Sequence, residues 1–234
     1  MLTTLQVPFL KPSEIESAVM DLLRRYSKQK GTVPRPPIPI EDITEHHLGV
    51  VFEVDDLSQW LPFSDVLGAA WFEENIIRVD SALEQQEGRL YFTLAHEVGH
   101  WWLHRPIVEM EKVTVPLFAR AKDAKPTPAV VCRRSQKRER AEIQADQFAA
   151  LILMPSSDVR ATVKKVCGDN LPVIDGLRKR LDARQFDGQL RDCAAEIMRE
   201  GNFTNVSKEA MSYRLIDLKL VLDKAEHEQQ PRLI

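Results

Sequence analysis

His96-Glu97-Val98-Gly99-His100 combines the residue types and the spacing that metal-assisted hydrolysis requires. On a helix, residues four apart stand one above the other, so imidazoles at 96 and 100 can clamp one divalent ion. Glu97 lies about 100° further round the axis, which sets its carboxylate beside the ion, where water would be activated. The flanking residues predict a helix from Glu87 to His104. On its wheel, Leu90, Tyr91, Leu94, Ala95, Val98, Trp101 and Trp102 fall on one half, and Thr93, Glu97, His100 and His104 on the other. That division predicts a core-facing stripe and a polar face turned into a cleft. The bland alternative is a buried helix that happens to carry two histidines. It leaves several polar groups to be desolvated without a partner, which is costly.

A catalytic zinc takes three protein ligands and keeps a fourth position open. The third ligand is expected on a second helix, from Lys137 to Leu153, which ends before Pro155. Its wheel puts Glu142, Asp146, Ala149 and Leu153 on one face, with Ala145 at the edge. Glu142 can ligate, and Asp146, one turn on, can accept the remaining ring N–H of a ligating histidine and orient it. His104, one turn past His100, has two readings: a donor to the transition-state oxyanion, or a structural group. His46 and His47 have no ligand-like partner spacing and read as surface histidines. A His/His/Glu set suits zinc and also manganese.

Several elements must position these groups. Ser13 is a candidate cap for a first helix, in which Ile15, Val19, Leu22, Leu23 and Tyr26 recur at helical spacing. Thr32–Pro39 carries four prolines and reads as an extended connector. Runs at Val50–Val54, Val66–Phe72 and Ile76–Val79 predict strands, the last two joined by a turn at Glu73-Glu74-Asn75. A small antiparallel sheet packed on the His96 helix follows, so the class is α+β. An exposed edge of that sheet could accept an extended substrate strand. Pro106 is expected to end the central helix, and Ile107–Ser135, with prolines at 116, 126 and 128, to be a surface excursion. Arg133, Arg134, Lys137, Arg138 and Arg140 form a basic cluster that reads as a solvated helix start. The expected division is 1–155, carrying the metal site, and 156–234, a helical region. In the latter, Ser207 caps a helix running to Val221, and Asn205-Val206-Ser207 is like the turn of a helix-turn-helix. Only Arg214 and Lys219 could reach bases or phosphates there, so DNA contact is not expected.

Composition narrows the class. The chain has 234 residues, 44% hydrophobic, with a formal net charge of -3, which supports a core and argues against a general polyanion partner. Cys132, Cys167 and Cys193 are widely spaced and odd in number, which points to a reducing compartment rather than a disulfide framework. No apolar run is long enough to span a bilayer, and no signal pattern opens the sequence, so a soluble cytoplasmic protein is expected.

Two motifs together resemble the ImmA/IrrE family of zinc metallo-endopeptidases. They are Phe92-Thr-Leu-Ala-His-Glu-Val-Gly-His-Trp-Trp-Leu-His104 and Glu142-x-x-Ala-Asp-x-Phe-Ala-x-x-Ile-Leu-Met-Pro155. Gly68 with the following hairpin, and Asn205-Val206-Ser207 with Arg214-Leu215, are also similar. The resemblance implies a zincin-like core, with His96, His100 and Glu142 as zinc ligands and Glu97 as catalytic glutamate. It implies a bacterial or phage antirepressor protease that cleaves a helix-turn-helix repressor. The long, proline-bearing separation of His100 from Glu142 departs from the pattern. Cys132 in that loop is either an ordinary buried thiol or an inhibitory ligand. The alternative to a protease is a non-catalytic, metal-stabilised regulatory module that binds a repressor or DNA.

Overall fold

The structure, a computed structural model, describes residues 5–59, 61–62, 65–114, 128, 130–133, 139–177 and 188–225. Pro12, whose fixed φ suits a first helical position, opens α1 (Pro12–Lys30). The Glu14 carboxylate accepts the Lys11 backbone N–H at 2.6 Å, so the seal comes from Glu14 rather than from Ser13. Gly31, at φ 74°, ends the helix in the left-handed region that glycine tolerates. Ile15, Val19, Leu22, Leu23 and Tyr26 form its buried stripe.

The architecture is α+β. The strands β1 (Val51–Asp55), β2 (Val66–Trp71), β3 (Ile76–Asp80) and β4 (Val130–Arg133) make one sheet in the order β1-β3-β2-β4. β2 and β3 form the expected antiparallel hairpin, whose turn holds Asn75 at φ 56°. The expectation of a wholly antiparallel sheet needs correction, because β1 runs parallel to β3, from Val51 opposite Ile76 to Asp55 opposite Asp80. The segment after β1 crosses past β3 before β2 begins, and a parallel pair requires such a crossover.

The central helix, α2 (Glu87–Gly99), passes into a wider π-helical stretch, His100–His104. Pro106 does not stop the chain there: α3 (Arg105–Thr114) follows directly. The Arg105 N–H bonds five residues back, to the His100 carbonyl. This wide turn relieves the clash that a proline ring makes with the carbonyl four residues before it. The supposed surface excursion is therefore helical at its start and a strand at Val130–Arg133; its residues 115–127 lie outside the described ones. The second motif helix is α4 (Arg140–Leu153). Of the basic cluster, Arg134, Lys137 and Arg138 also lie outside the described residues.

The chain divides into two compact units, Met1–Pro34 with Pro39–Leu153, and Arg35–Ile38 with Met154–Ile234. The second contains α5 (Ser156–Cys167), β5 (Val173–Ile174), α6 (Gly188–Gly201), α7 (Lys208–Asp217) and β6 (Leu222–Asp223), with β5 and β6 paired in parallel. Four residues of the proline-rich connector belong to this unit. Arg35 bonds Asp158 at 2.8 Å, Asn202 donates to the Pro36 carbonyl, and Asn205 donates to the Ile38 carbonyl. The Ser207 hydroxyl accepts the Ala210 N–H at 3.0 Å and caps α7, which ends at Asp217, short of the expected Val221. Lys219 follows at φ 55°. Arg214 is buried and donates to the Met154 carbonyl and the Ser156 hydroxyl, so it is a packing group and not a groove-reaching side chain. The expected patterns at Leu177–Leu181, beyond Leu177, and at His227–Ile234 lie outside the described residues. Among those residues, no helix is long and apolar enough to cross a membrane.

Candidate metal centre

α2 and α4 pack closely enough to bring the two motifs together. A Cβ placed on Gly99 would lie 3.1 Å from the Phe148 Cβ and 3.2 Å from the Ala145 Cα. Glycine facing alanine thus lets the helix backbones approach, and the short Glu142 side chain reaches the histidines across the gap. The Nε2 atoms of His96 and His100 are 3.0 Å apart. Glu142 sets Oε2 at 3.3 Å from the first and Oε1 at 3.3 Å from the second. A tetrahedral ion with bonds of about 2.0–2.1 Å holds its donors about 3.3 Å apart. The three side chains therefore converge at about the spacing that one ion requires, and their chemistry, two imidazoles and a carboxylate, fits a divalent ion.

Each histidine is held from behind. Asp146 Oδ1 lies 2.9 Å from His96 Nδ1, as the acid one turn beyond Glu142 was expected to do. His100 Nδ1 lies 2.9 Å from His104 Nδ1, and His104 Nε2 lies 2.9 Å from Gln144 Oε1. The Gln144 amide in turn donates to the Pro8 carbonyl at 2.8 Å. His104 is fully buried with both ring nitrogens engaged. The reading of His104 as a substrate contact is corrected for that reason: it stands behind His100, away from any reacting group.

The polar half of the α2 wheel is buried too. Thr93, His96, Glu97, His100 and His104 are all 5% exposed or less, so this face meets β2, β4 and α4 rather than an open cleft. Gly68 on β2 makes the contact possible, since a Cβ there would lie 2.6 Å from Thr93 Cγ2 and 2.9 Å from Glu97 Oε1. Among the described residues, neither carboxylate oxygen of Glu97 makes a hydrogen bond of good geometry. Burial pushes the Glu97 carboxyl up to about 8, with His96 and the nearby Cys132 amide opposing and Glu142 adding to the rise. Glu142 is different. Burial alone would raise it, but hydrogen bonds from His100 and His96 hold it well below the usual carboxylate range. His104 is pushed down to about 4 by burial and by His100.

Residues 64–169 match the family model of the IrrE N-terminal-like domain, a peptidase family. This segment belongs to that family. The IrrE-like segment holds every side chain of the centre from His96 to Asp146. Membership supports a metal-dependent peptidase in general terms. No curated protein matches the chain.

Cys132 is not in a loop, as expected, but on β4 of the IrrE-like segment, opposite Gly68 of β2. Its sulfur and single donor atoms of His96 and Glu97 all lie within 4.8 Å of one another. Burial raises the thiol, and His96 opposes that rise. Sequence reasoning missed Gln144. The available signal was a polar side chain at a core-facing position, between Ala141 and Ala145 on one side and Phe148 on the other. The contribution of Pro8 is a backbone carbonyl, which leaves no mark in sequence.

Proposed function

We propose that this chain is a zinc-dependent endopeptidase with a zincin-like core, which cleaves a helix-turn-helix transcriptional repressor and so relieves repression. The observation that carries the hydrolytic reading is three convergent donors beside a buried carboxylate without a hydrogen-bond partner. His96, His100 and Glu142 would hold the ion, with manganese served by the same donors. When bound, the ion supplies a Lewis acid that acidifies water and polarises the scissile carbonyl. Glu97 takes a proton from the attacking water and returns it to the leaving amine. Among the described residues no hydrogen bond of good geometry ties its oxygens to another task, and burial raises its proton affinity. Asp146 holds the His96 proton on Nδ1, which leaves Nε2 free to ligate; His104 and Gln144 do the same for His100.

The choice of a repressor as substrate is supported by the sequence resemblance and by membership of residues 64–169 in the IrrE-like family. The test is to incubate metal-loaded protein with the helix-turn-helix protein encoded beside it and to search for a new N-terminus by mass spectrometry. Cleavage by wild type and none by Glu97→Gln is expected. An intact partner under both zinc and manganese would overturn the repressor reading.

A second reading, a metal-stabilised regulatory module that binds a repressor or DNA, is favoured by one observation. A structural zinc site is closed by four protein ligands, and Cys132 stands near enough to His96 to be considered as the fourth. That reading expects partner capture that survives Glu97→Gln, with no cleavage.

A further inference from the structure

β4 lies on the side of β2 that β3 leaves free. A strand laid antiparallel along a sheet edge is the way many proteins present an extended peptide. Here the chain supplies that strand itself, with Ala70 opposite Val130, Ala69 opposite Val131 and Gly68 opposite Cys132. Gly68 is also the residue whose missing side chain makes room for Glu97 and Thr93. The register therefore delivers Cys132 to the point where the sheet touches the motif helix.

Two independent features meet there. His96 belongs both to the His96–His100–Glu142 donor set and to the His96–Glu97–Cys132 set, so the sulfur adjoins the same imidazole that would hold an ion, while it stands outside the set formed with His100 and Glu142 and must close on the ion as metal binds. Glu97, with no exposed surface, places one carboxylate oxygen within 4.8 Å of that sulfur, and among the described residues neither of its oxygens has a hydrogen-bond partner of good geometry. Thiolate is also among the donors zinc accepts most readily.

We propose that Cys132 is a built-in fourth ligand, whose sulfur closes the His96–His100–Glu142 centre while β4 fills the β2 edge along which a substrate strand would be added. The inference rests on the metallopeptidase reading. On closure the S–H bond breaks and a sulfur–metal bond forms; one proton goes to solvent and one water leaves.

Cobalt(II) reports the ligand set directly. The full-length protein, stripped of metal, is titrated with cobalt(II) as wild type, as Cys132→Ser and as the Cys167→Ser/Cys193→Ser double variant. Wild type and the double variant are expected to bind one ion per chain with a near-ultraviolet thiolate-to-cobalt band. Cys132→Ser should lose that band and keep the visible cobalt bands. One ion per chain without the ultraviolet band in wild type, or a band that survives Cys132→Ser, overturns the inference and leaves the metallopeptidase reading standing. If wild type binds neither cobalt nor zinc, the metallopeptidase reading falls and takes the inference with it. Should Cys132→Ser fail to fold, alkylation of wild type by iodoacetamide decides the matter. Zinc should slow modification of the Cys132 peptide, and an unchanged rate overturns the proposal.

Discussion

The Nδ1 atoms of His100 and His104 face each other at 2.9 Å, so only one of the two can carry a proton there. If His100 turns a bare Nε2 to an ion, its own proton sits on Nδ1 and donates to His104. The His104 proton then sits on Nε2 and donates to Gln144, whose amide is fixed by the Pro8 carbonyl. Gln144→Leu removes the acceptor and strands a buried N–H. A loss of zinc affinity of about 10- to 100-fold is expected, read by competition with a chromogenic chelator. Unchanged affinity in a folded variant would show that the relay has no hold on the ligand.

Glu97→Gln should keep the ion and lose hydrolysis. It also carries a test in pH. Burial moves the folded Glu97 carboxyl from 4.5 to about 8. Between those values the folded, metal-free chain keeps a proton that the unfolded chain has released. Its stability therefore falls as pH rises, by up to about 1.4 kcal/mol per unit. Denaturant unfolding in chelator should show wild type losing stability relative to Glu97→Gln from pH 4.5 to 8, with a constant difference below that window. Parallel pH profiles for the two proteins would contradict the burial argument.

Gly68→Ala puts a methyl group into Thr93 Cγ2 at 2.6 Å and Glu97 Oε1 at 2.9 Å. A cost of about 1–3 kcal/mol in unfolding free energy is expected from such overpacking. Thr93→Ser deletes the nearer contact and should recover part of the loss. No recovery in the double variant would mean that the strain lies elsewhere.

Gly99→Ala tests the spacing of α2 and α4. The new methyl group meets Ala145 Cα at 3.2 Å, and backbone cannot swing aside as a side chain can. The helices must part by a few tenths of an ångström, which moves Glu142 away from both imidazoles. Zinc affinity should fall while the helical circular dichroism stays that of wild type. Tight binding would show that Glu142 follows the histidines.

The two motif helices were legible because their information is local. His96 and His100 share a face by spacing alone, and Glu142 and Asp146 do the same one helix later. The β2–β3 hairpin was legible through its turn. The rest depends on contacts distant in sequence. β1 pairs with β3, not with its nearest successor, and nothing in either run encodes a parallel register. Val130–Arg133 is a four-residue strand next to proline-bearing sequence, so its periodicity is too short to register. His104 looked like a second donor because a wheel gives direction but not depth. Its ring is engaged by Gln144 on another helix, which Pro8, ahead of α1, holds in turn.

Arg35–Ile38 sets a rule for dissecting the molecule. The backbone passes from one unit to the other at Pro34–Arg35, returns at Ile38–Pro39 and passes again at Leu153–Met154. A protease nick after Leu153 would leave the N-terminal fragment still carrying Arg35, Pro36 and Ile38, whose partners Asp158, Asn202 and Asn205 are on the other piece. The halves are thus threaded like a stitch, not strung like beads, and a truncation made at that junction splits a folded unit.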